Sequence, residues 1–219
     1  MKNRFDDLYI NIGCGSHPID GWKNYDYNKF IFLAKIKPLY IFFKYLRFIP
    51  SGYKRFMELV ISNNISYCNA AKQIPEKDNS VSVLYSSHML EHLDDKETDI
   101  FLKESIRVLI KGGLIRIVVP DFEILIKNYL KSNDPKQFIN ESCLVSEKPH
   151  KILKKIQYLI QGHGWHFNMY NKQTLTSLMK EYGFSNIKIL DPGETQINSK
   201  HGLDLYAHSN NSIYLEAIK

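Results

Sequence analysis

Residues Leu114-Ile115-Arg116-Ile117-Val118-Val119 form a nearly continuous apolar run rich in β-branched side chains. A strand of that composition has no wet face, so it belongs in a sheet covered on both sides, the habit of parallel sheets flanked by helices. Further short β-prone runs occur at Leu8–Ile12, Trp22–Tyr25 (ending at Asp26), Ile65–Cys68, Val81–Tyr85, Asn186–Leu190 and Ser212–Ile218. Between them lie helical patterns. Over 95–110, Phe101, Leu102, Ser105, Ile106, Val108 and Leu109 place one mostly apolar face, and Lys111-Gly112-Gly113 is expected to end that helix. Others are expected at 121–131, 150–161 and 173–182. Strand alternating with helix predicts an α/β, doubly wound and mainly parallel sheet. With 219 residues and no repeat or low-complexity linker, one domain spans 1–219.

Three dispersed cysteines, Cys14, Cys68 and Cys143, argue against a disulfide framework and for a reducing compartment. Polar and acidic residues at once after Met1 are unlike a signal peptide, and no uncharged apolar stretch is long enough to span a bilayer. The expected location is cytoplasmic. The net charge of +6 is gathered in patches. Between Lys29 and Val60 stand seven Lys or Arg against one acid, Glu58, and a second cluster is Lys148, His150, Lys151, Lys154 and Lys155. Such patches favour an anionic partner. No RNA-binding module is visible, which argues against nucleic acid. Residues 30–61 also hold nine aromatics, broken at Pro38 and Pro50-Ser51-Gly52, and predict two or three short amphipathic helices. This insertion, at about 30–64, is read as a lid over the acceptor site in preference to a membrane-surface element.

The first strand runs into Gly13-Cys14-Gly15, and Asp26 ends the second. In a doubly wound sheet, ligands bind beyond the carboxyl ends of the strands. Glycines there let the backbone approach a ligand, and a carboxylate at the next strand end accepts bonds from ribose hydroxyls. The dinucleotide fingerprint fails. Its third glycine falls on Pro18, and Asp26 follows Gly15 by eleven residues, against about twenty expected. A phosphate-binding G-x-x-x-x-G-K-[ST] loop does not occur.

Taken in order, Ile10-Asn11-Ile12-Gly13-Cys14-Gly15, Gln73-Ile74-Pro75, Asp78-Asn79-Ser80, Ser86-Ser87-His88-Met89-Leu90-Glu91-His92-Leu93, Phe101-Leu102-Lys103-Glu104, Arg107-Val108-Leu109 and Gly112-Gly113 through Pro120-Asp121 resemble the class I S-adenosylmethionine-dependent methyltransferases. The C-terminal segments His166-Phe167-Asn168-Met169-Tyr170, Tyr182-Gly183-Phe184 and Ser212–Ala217 look like the small bacterial members encoded with cell-surface glycan genes. The resemblance implies a Rossmann-like methyltransferase fold, seven-stranded, with an antiparallel C-terminal strand. It implies S-adenosylmethionine as cofactor, with contacts from Asn11, Gly13, Cys14, Gly15, Asp26, Tyr27, Asn69, Ala70, Ser86, Ser87 and Leu90. Asn69 stands where the family more often has an aspartate facing the adenine; an amide also bonds that edge. The resemblance says little about the acceptor; the reading adopted is a small molecule or glycan whose hydroxyl attacks the methyl group. The oligomeric state is not legible.

Two histidine-rich segments admit other readings. His88-Met89-Leu90-Glu91-His92 matches H-x-x-E-H, which on a helix would set two zinc ligands on one face beside a glutamate base. That makes a zinc-dependent hydrolase one alternative, and a non-catalytic S-adenosylmethionine-binding protein another. No third ligand announces itself, so the sequence reading assigns no metal, and His92 is expected to pack at a helix start. Gly162-His163-Gly164-Trp165-His166 suggests a mobile site edge. A hydroxyl acceptor needs a base, for which His88 and His166 are candidates ahead of Asp121, because histidine titrates near neutrality.

Overall fold

In the computed structural model, which describes residues 7–45, 51–144, 164–198 and 202–219, the apolar run lies within a seven-stranded sheet. The strands are β1 (Tyr9–Ile12), β2 (Lys23–Asp26), β3 (Ser66–Tyr67), β4 (Val81–Ser87), β5 (Leu109–Pro120), β6 (Ser185–Leu190) and β7 (Ser212–Ile218), in the order β3-β2-β1-β4-β5-β7-β6. Pairings are parallel from β3 to β5, and β7 runs antiparallel to both neighbours. This is the expected doubly wound fold with its antiparallel C-terminal strand.

β5 alternates between two cores, as period-two geometry requires. Ile115, Ile117 and Val119 enter a cluster with Phe101, Leu102, Leu175 and Met179. Leu114 and Val118 enter another with Trp22, Tyr85, Ile197 and Tyr214. Arg116 shares that second face, fully buried, and meets Glu216 on β7 at 2.6 Å. The first core rests on α4 (Asp95–Val108) and α7 (Lys172–Glu181), both opened by capping boxes, Asp94 with Glu97 and Asn171 with Thr174.

One expected boundary is corrected. Lys111-Gly112-Gly113 does not end α4; the chain turns extended at Leu109, which already pairs with Val81. The register against β4 then slips between Val81 and Val83, and Gly112, at φ +80°, bonds back to Lys219. The glycines bend a strand here and do not cap a helix. Two further helices, α5 (Phe122–Ser132) and α6 (Pro135–Ser142), follow β5. α6 was not anticipated: eight residues give little periodicity, and only Asp134 with Pro135 marks its start. The helix expected at 150–161 and the basic cluster at 148–155 lie outside the described residues.

The connection from β1 to β2 holds no helix, only the loop from Gly13 to Trp22. Parallel neighbours ordinarily need a dozen or more residues and a helix to cross over. Here a buried amide pair does the holding. Asn24 Oδ1 accepts from Ile19 N at 2.8 Å and from Asn11 Nδ2 at 3.2 Å, while Asn24 Nδ2 donates to Ile19 O and Trp22 O. Asn11 Nδ2 also donates to His17 O. Replacing Asn24 by Ala strands these buried groups, each at about 1–3 kcal/mol. Asn24→Ala is therefore expected to lower the melting temperature by several degrees, at roughly 2–4 °C per kcal/mol for a chain of this size. An unchanged transition in calorimetry would show that the loop holds without this network.

Residues 30–62 form α1 (Phe30–Lys35), α2 (Lys37–Tyr45) and α3 (Ser51–Ser62), as their patterning predicts. Ile31, Ala34, Phe56, Met57 and Val60 pack with Cys14 and Ile65, on the flank of β2 and β3. Phe32 stacks beside Tyr67. No helix among the described residues is long and apolar enough to cross a membrane.

Candidate functional site

Four strand ends converge along one edge of the sheet. Register sets Ile12 beside both Tyr25 and Ser86, and Asp26 beside Tyr67, so Gly13–Gly15, Asp26, Asn69 and Ser86–His88 leave the sheet side by side. Gly13 and Gly15 both adopt left-handed φ, +72° and +50°. Gly13 N and Cys14 N donate to Tyr25 O, and Gly15 N donates to Asp26 Oδ2 at 2.8 Å. Asp26 Oδ1 accepts from Asn28 N at 2.8 Å. The carboxylate is thereby locked at the mouth of the turn with lone pairs to spare. Burial pushes its pKa above the usual carboxylate value, against the pull of the Asn28 and Gly15 N–H groups. Asn69 Oδ1 closes a turn on Ala71 N at 3.1 Å, leaving its amide nitrogen outside that bond. A side chain at Gly15 would meet nothing within 4 Å, whereas one at Gly13 would strike Met89 Cγ at 2.7 Å. The turn thus has open space on one side and the loop after β4 on the other.

Not every expected contact residue offers its side chain. Asn11 is spent on the loop network, and Cys14, Ala70 and Leu90 are buried in apolar clusters. Burial drives the Cys14 thiol far above its ordinary pKa, so it stays protonated. Ser86 is buried, Ser87 half-buried, and Tyr27 exposed beside Tyr67.

The loop after β4 does not form the helix that an H-x-x-E-H zinc site needs. His88 sits at φ +50°, a conformation that costs a non-glycine residue about 1–3 kcal/mol unless its surroundings enforce it. They do: its N–H donates to Val118 O, Nε2 pairs with Ser212 Oγ at 2.9 Å, Nδ1 faces Glu91 Oε1 at 3.3 Å, and the ring lies on His208. Leu90–His92 is a single 3-10 turn. His92, expected to pack at a helix start, instead points Nδ1 at Trp165 O, 2.9 Å away.

His166 arrives from the far end of the chain. Phe167 N and Asn168 N donate to Glu91 O, and Asn168 Nδ2 donates to Leu93 O at 2.9 Å. These bonds hold the chain just after the edge expected to be mobile, Gly162–His166, of which Gly162 and His163 lie outside the described residues. His166 Nε2 lies 4.0 Å from Glu91 Oε1, and its ring packs edge-on against His92. Burial lowers the His166 pKa, opposed by Glu91 and assisted by His92 and His88.

Glu91 and His166 form one wall of a cavity of about 520 Å³ beyond β5, which Asp121, Tyr170 and five asparagines (Asn128, Asn140, Asn168, Asn210, Asn211) help line. Neither the glycine turn nor Asp26 borders it, and neither does any described residue of 30–62. The insertion therefore covers the β2–β3 flank and not this chamber, unlike the expected lid. Asp121 Oδ1 accepts from Glu123 N at 2.9 Å and caps α5. Of the proposed bases, His166 and Asp121 reach the cavity, and His88 stands behind Glu91.

The Methyltransferase domain family matches residues 53–117, which run from α3 through β4 and its loop into β5. The chain is a methyltransferase. Solved structures that the chain resembles are described as S-adenosylmethionine-dependent methyltransferases. Similar solved structures include an S-adenosylmethionine-dependent methyltransferase from Thermotoga maritima, described as a possible histamine N-methyltransferase. It shares 15% identity over 97% of this chain and 82% of that one, with a TM-score of 0.52. Another, from Methanosarcina mazei, shares 17% identity over 98% and 92%, also with a TM-score of 0.52. At such identities the likeness is one of fold. No curated protein matches the chain. The methyltransferase fold gives a zinc hydrolase no support, and the loop geometry removes the helix on which that reading stood.

The residues present suit the cofactor. The open face of Gly15 admits a ligand against the backbone, Asp26 presents a fixed carboxylate, and Asn69 lies one strand over. Sequence reasoning did not single out Asn210, Asn211 or His208, which reach the site only through the loop before β7, nor Glu91 and His92 as partners of His166. The H-x-x-E-H pattern was the available signal; reading it as a helix concealed its geometry.

Proposed function

We propose that this methyltransferase holds S-adenosylmethionine along Gly13–Gly15, Asp26 and Asn69, and methylates a hydroxyl of a small, sugar-like acceptor in the adjoining cavity. One observation carries the reading: the loop after β4 serves both chambers, with Met89 against Gly13 and Glu91 in the cavity wall. On this reading cofactor and acceptor lie on either side of Met89–Glu91. When bound, the cofactor supplies an electrophilic methyl group on a sulfonium sulfur. The protein's own part is positioning, which accounts for much of the rate in bimolecular displacements.

Asp26 takes the ribose hydroxyls, and Asn69 the adenine edge. The cavity's asparagines offer paired donors and acceptors, the chemistry that reads a polyol. His88 or His166 takes up the hydroxyl proton, while Asp121 caps α5. Labelled S-adenosylmethionine, offered with nucleotide-sugars, free glycans and small amines, tests the reading. Label should pass to a sugar hydroxyl. Transfer to amines alone would overturn the acceptor class. Asp121→Asn should keep most of the turnover, because an asparagine also caps a helix.

A further inference from the structure

We infer that Glu91, His92 and His166 bind one divalent transition-metal cation, which anchors an acceptor oxygen at the cavity wall. The inference rests on the acceptor cavity proposed above, though not on the identity of the transferred group. Glu91 is 1% exposed, and neither carboxylate oxygen accepts a hydrogen bond among the described residues. A buried carboxylate left so is costly, and native proteins resolve it with a counter-charge or a metal. One ligand atom each from Glu91, His92 and His166 lies within 4.8 Å of the others.

The outer contact of the His92 ring is that of a metal ligand. A backbone carbonyl only accepts, so His92 Nδ1 must carry the proton that reaches Trp165 O. That leaves the lone pair on Nε2. His166 turns its Nε2 toward Glu91 Oε1, 4.0 Å away, on the same side as His92. Imidazoles whose second nitrogen donates to a carbonyl are the usual supported ligands of metal sites. The bonds from Phe167 N and Asn168 N to Glu91 O bolt the two halves of the cluster together.

Ligand atoms around a four-coordinate ion, each at about 2.0–2.2 Å, stand roughly 3.4 Å apart, so binding draws the three inward by about an ångström. Two imidazoles and a carboxylate leave a further coordination position, the arrangement of catalytic and not structural sites. Glu91 and His166 both border the cavity, so that position faces the acceptor. Imidazole donors select zinc, cobalt or a neighbouring ion over magnesium or calcium. The competing account is that a protonated His88, 3.3 Å from Glu91, serves as counter-ion and no metal binds.

The full-length protein, stripped with chelator and dialysed, is titrated with Zn²⁺ by calorimetry and with Co²⁺ by visible absorption. S-adenosylhomocysteine binding is measured on each sample. One cation per chain is expected, with a ligand-field band from Co²⁺. Glu91→Gln and His166→Ala should each weaken Zn²⁺ binding by about 100-fold or more, beyond the 10–100-fold typical of an outer contact. No saturable binding by wild type, or equal affinity in both variants, overturns the site. If Glu91→Gln no longer binds S-adenosylhomocysteine and is misfolded, His166→Ala decides. A wild-type protein that binds S-adenosylhomocysteine and no cation sinks this inference alone; one that binds the cation and no S-adenosylhomocysteine sinks the cofactor assignment and leaves the site standing.

Discussion

Asp26→Ala is expected to weaken S-adenosylhomocysteine binding by about 10²–10⁴, since two charge-assisted hydrogen bonds at roughly 1.5–3 kcal/mol each disappear together. The loss has a second source, because the same carboxylate holds Gly15 N at 2.8 Å and so shapes the turn. Asp26→Asn separates the two: an amide oxygen can keep the Gly15 bond but presents fewer acceptors to ribose, so an intermediate loss is expected. The pH dependence has a definite sign. Burial raises the Asp26 pKa, and the ionised form is the one that accepts both hydroxyls. Affinity should therefore decline as pH falls through that raised value, earlier than an ordinary carboxylate near 3.9 would allow. Calorimetry on the three proteins across the acid range reads this directly. Equal affinities would remove Asp26 from the ribose role.

Loss of the proton acceptor, His88 or His166, is expected to cut turnover by roughly 10²–10⁴ in the corresponding alanine variant, with cofactor affinity unchanged. The physical reason lies in where the two rings stand. His166 lines the cavity, and burial lowers its pKa, so the neutral ring prevails at neutral pH. His88 is fixed by Ser212, Val118 and Glu91 at a strained strand end, a conformation retained where the surroundings over-determine it. His88 is not among the three cation ligands, so its variant separates a proton role from a metal role. Steady-state rates and S-adenosylhomocysteine affinity for both variants, beside Asp121→Asn, form the test. Two active histidine variants and a dead Asp121→Asn would reverse the assignment.

The fold was legible where side-chain pattern and local geometry agree. The β5 run announced a two-sided sheet, and Gly13, Gly15 and Asp26 mark the strand ends at which the proposed cofactor cradle lies. Lys111-Gly112-Gly113 misled because the signal of basic residue and glycine is shared by helix ends and strand bends; pairing of Leu109 with Val81 settles it, and pairing is not local. The helix-free β1–β2 crossing depends on two asparagines, Asn11 and Asn24, whose bond spans a tight loop and leaves no periodic trace. Least legible was the cluster at Glu91. His166 reaches it through main-chain bonds from Phe167 and Asn168, and a sequence carries no record of which carbonyl those amides will find.

The account stands most directly on equilibrium binding by the unmodified protein. Calorimetric titration of wild type with S-adenosylmethionine, S-adenosylhomocysteine and NAD should give one-to-one binding of the first two and no heat from the third. Saturable binding of NAD with no heat from either sulfur nucleoside would contradict the assignment of this cradle.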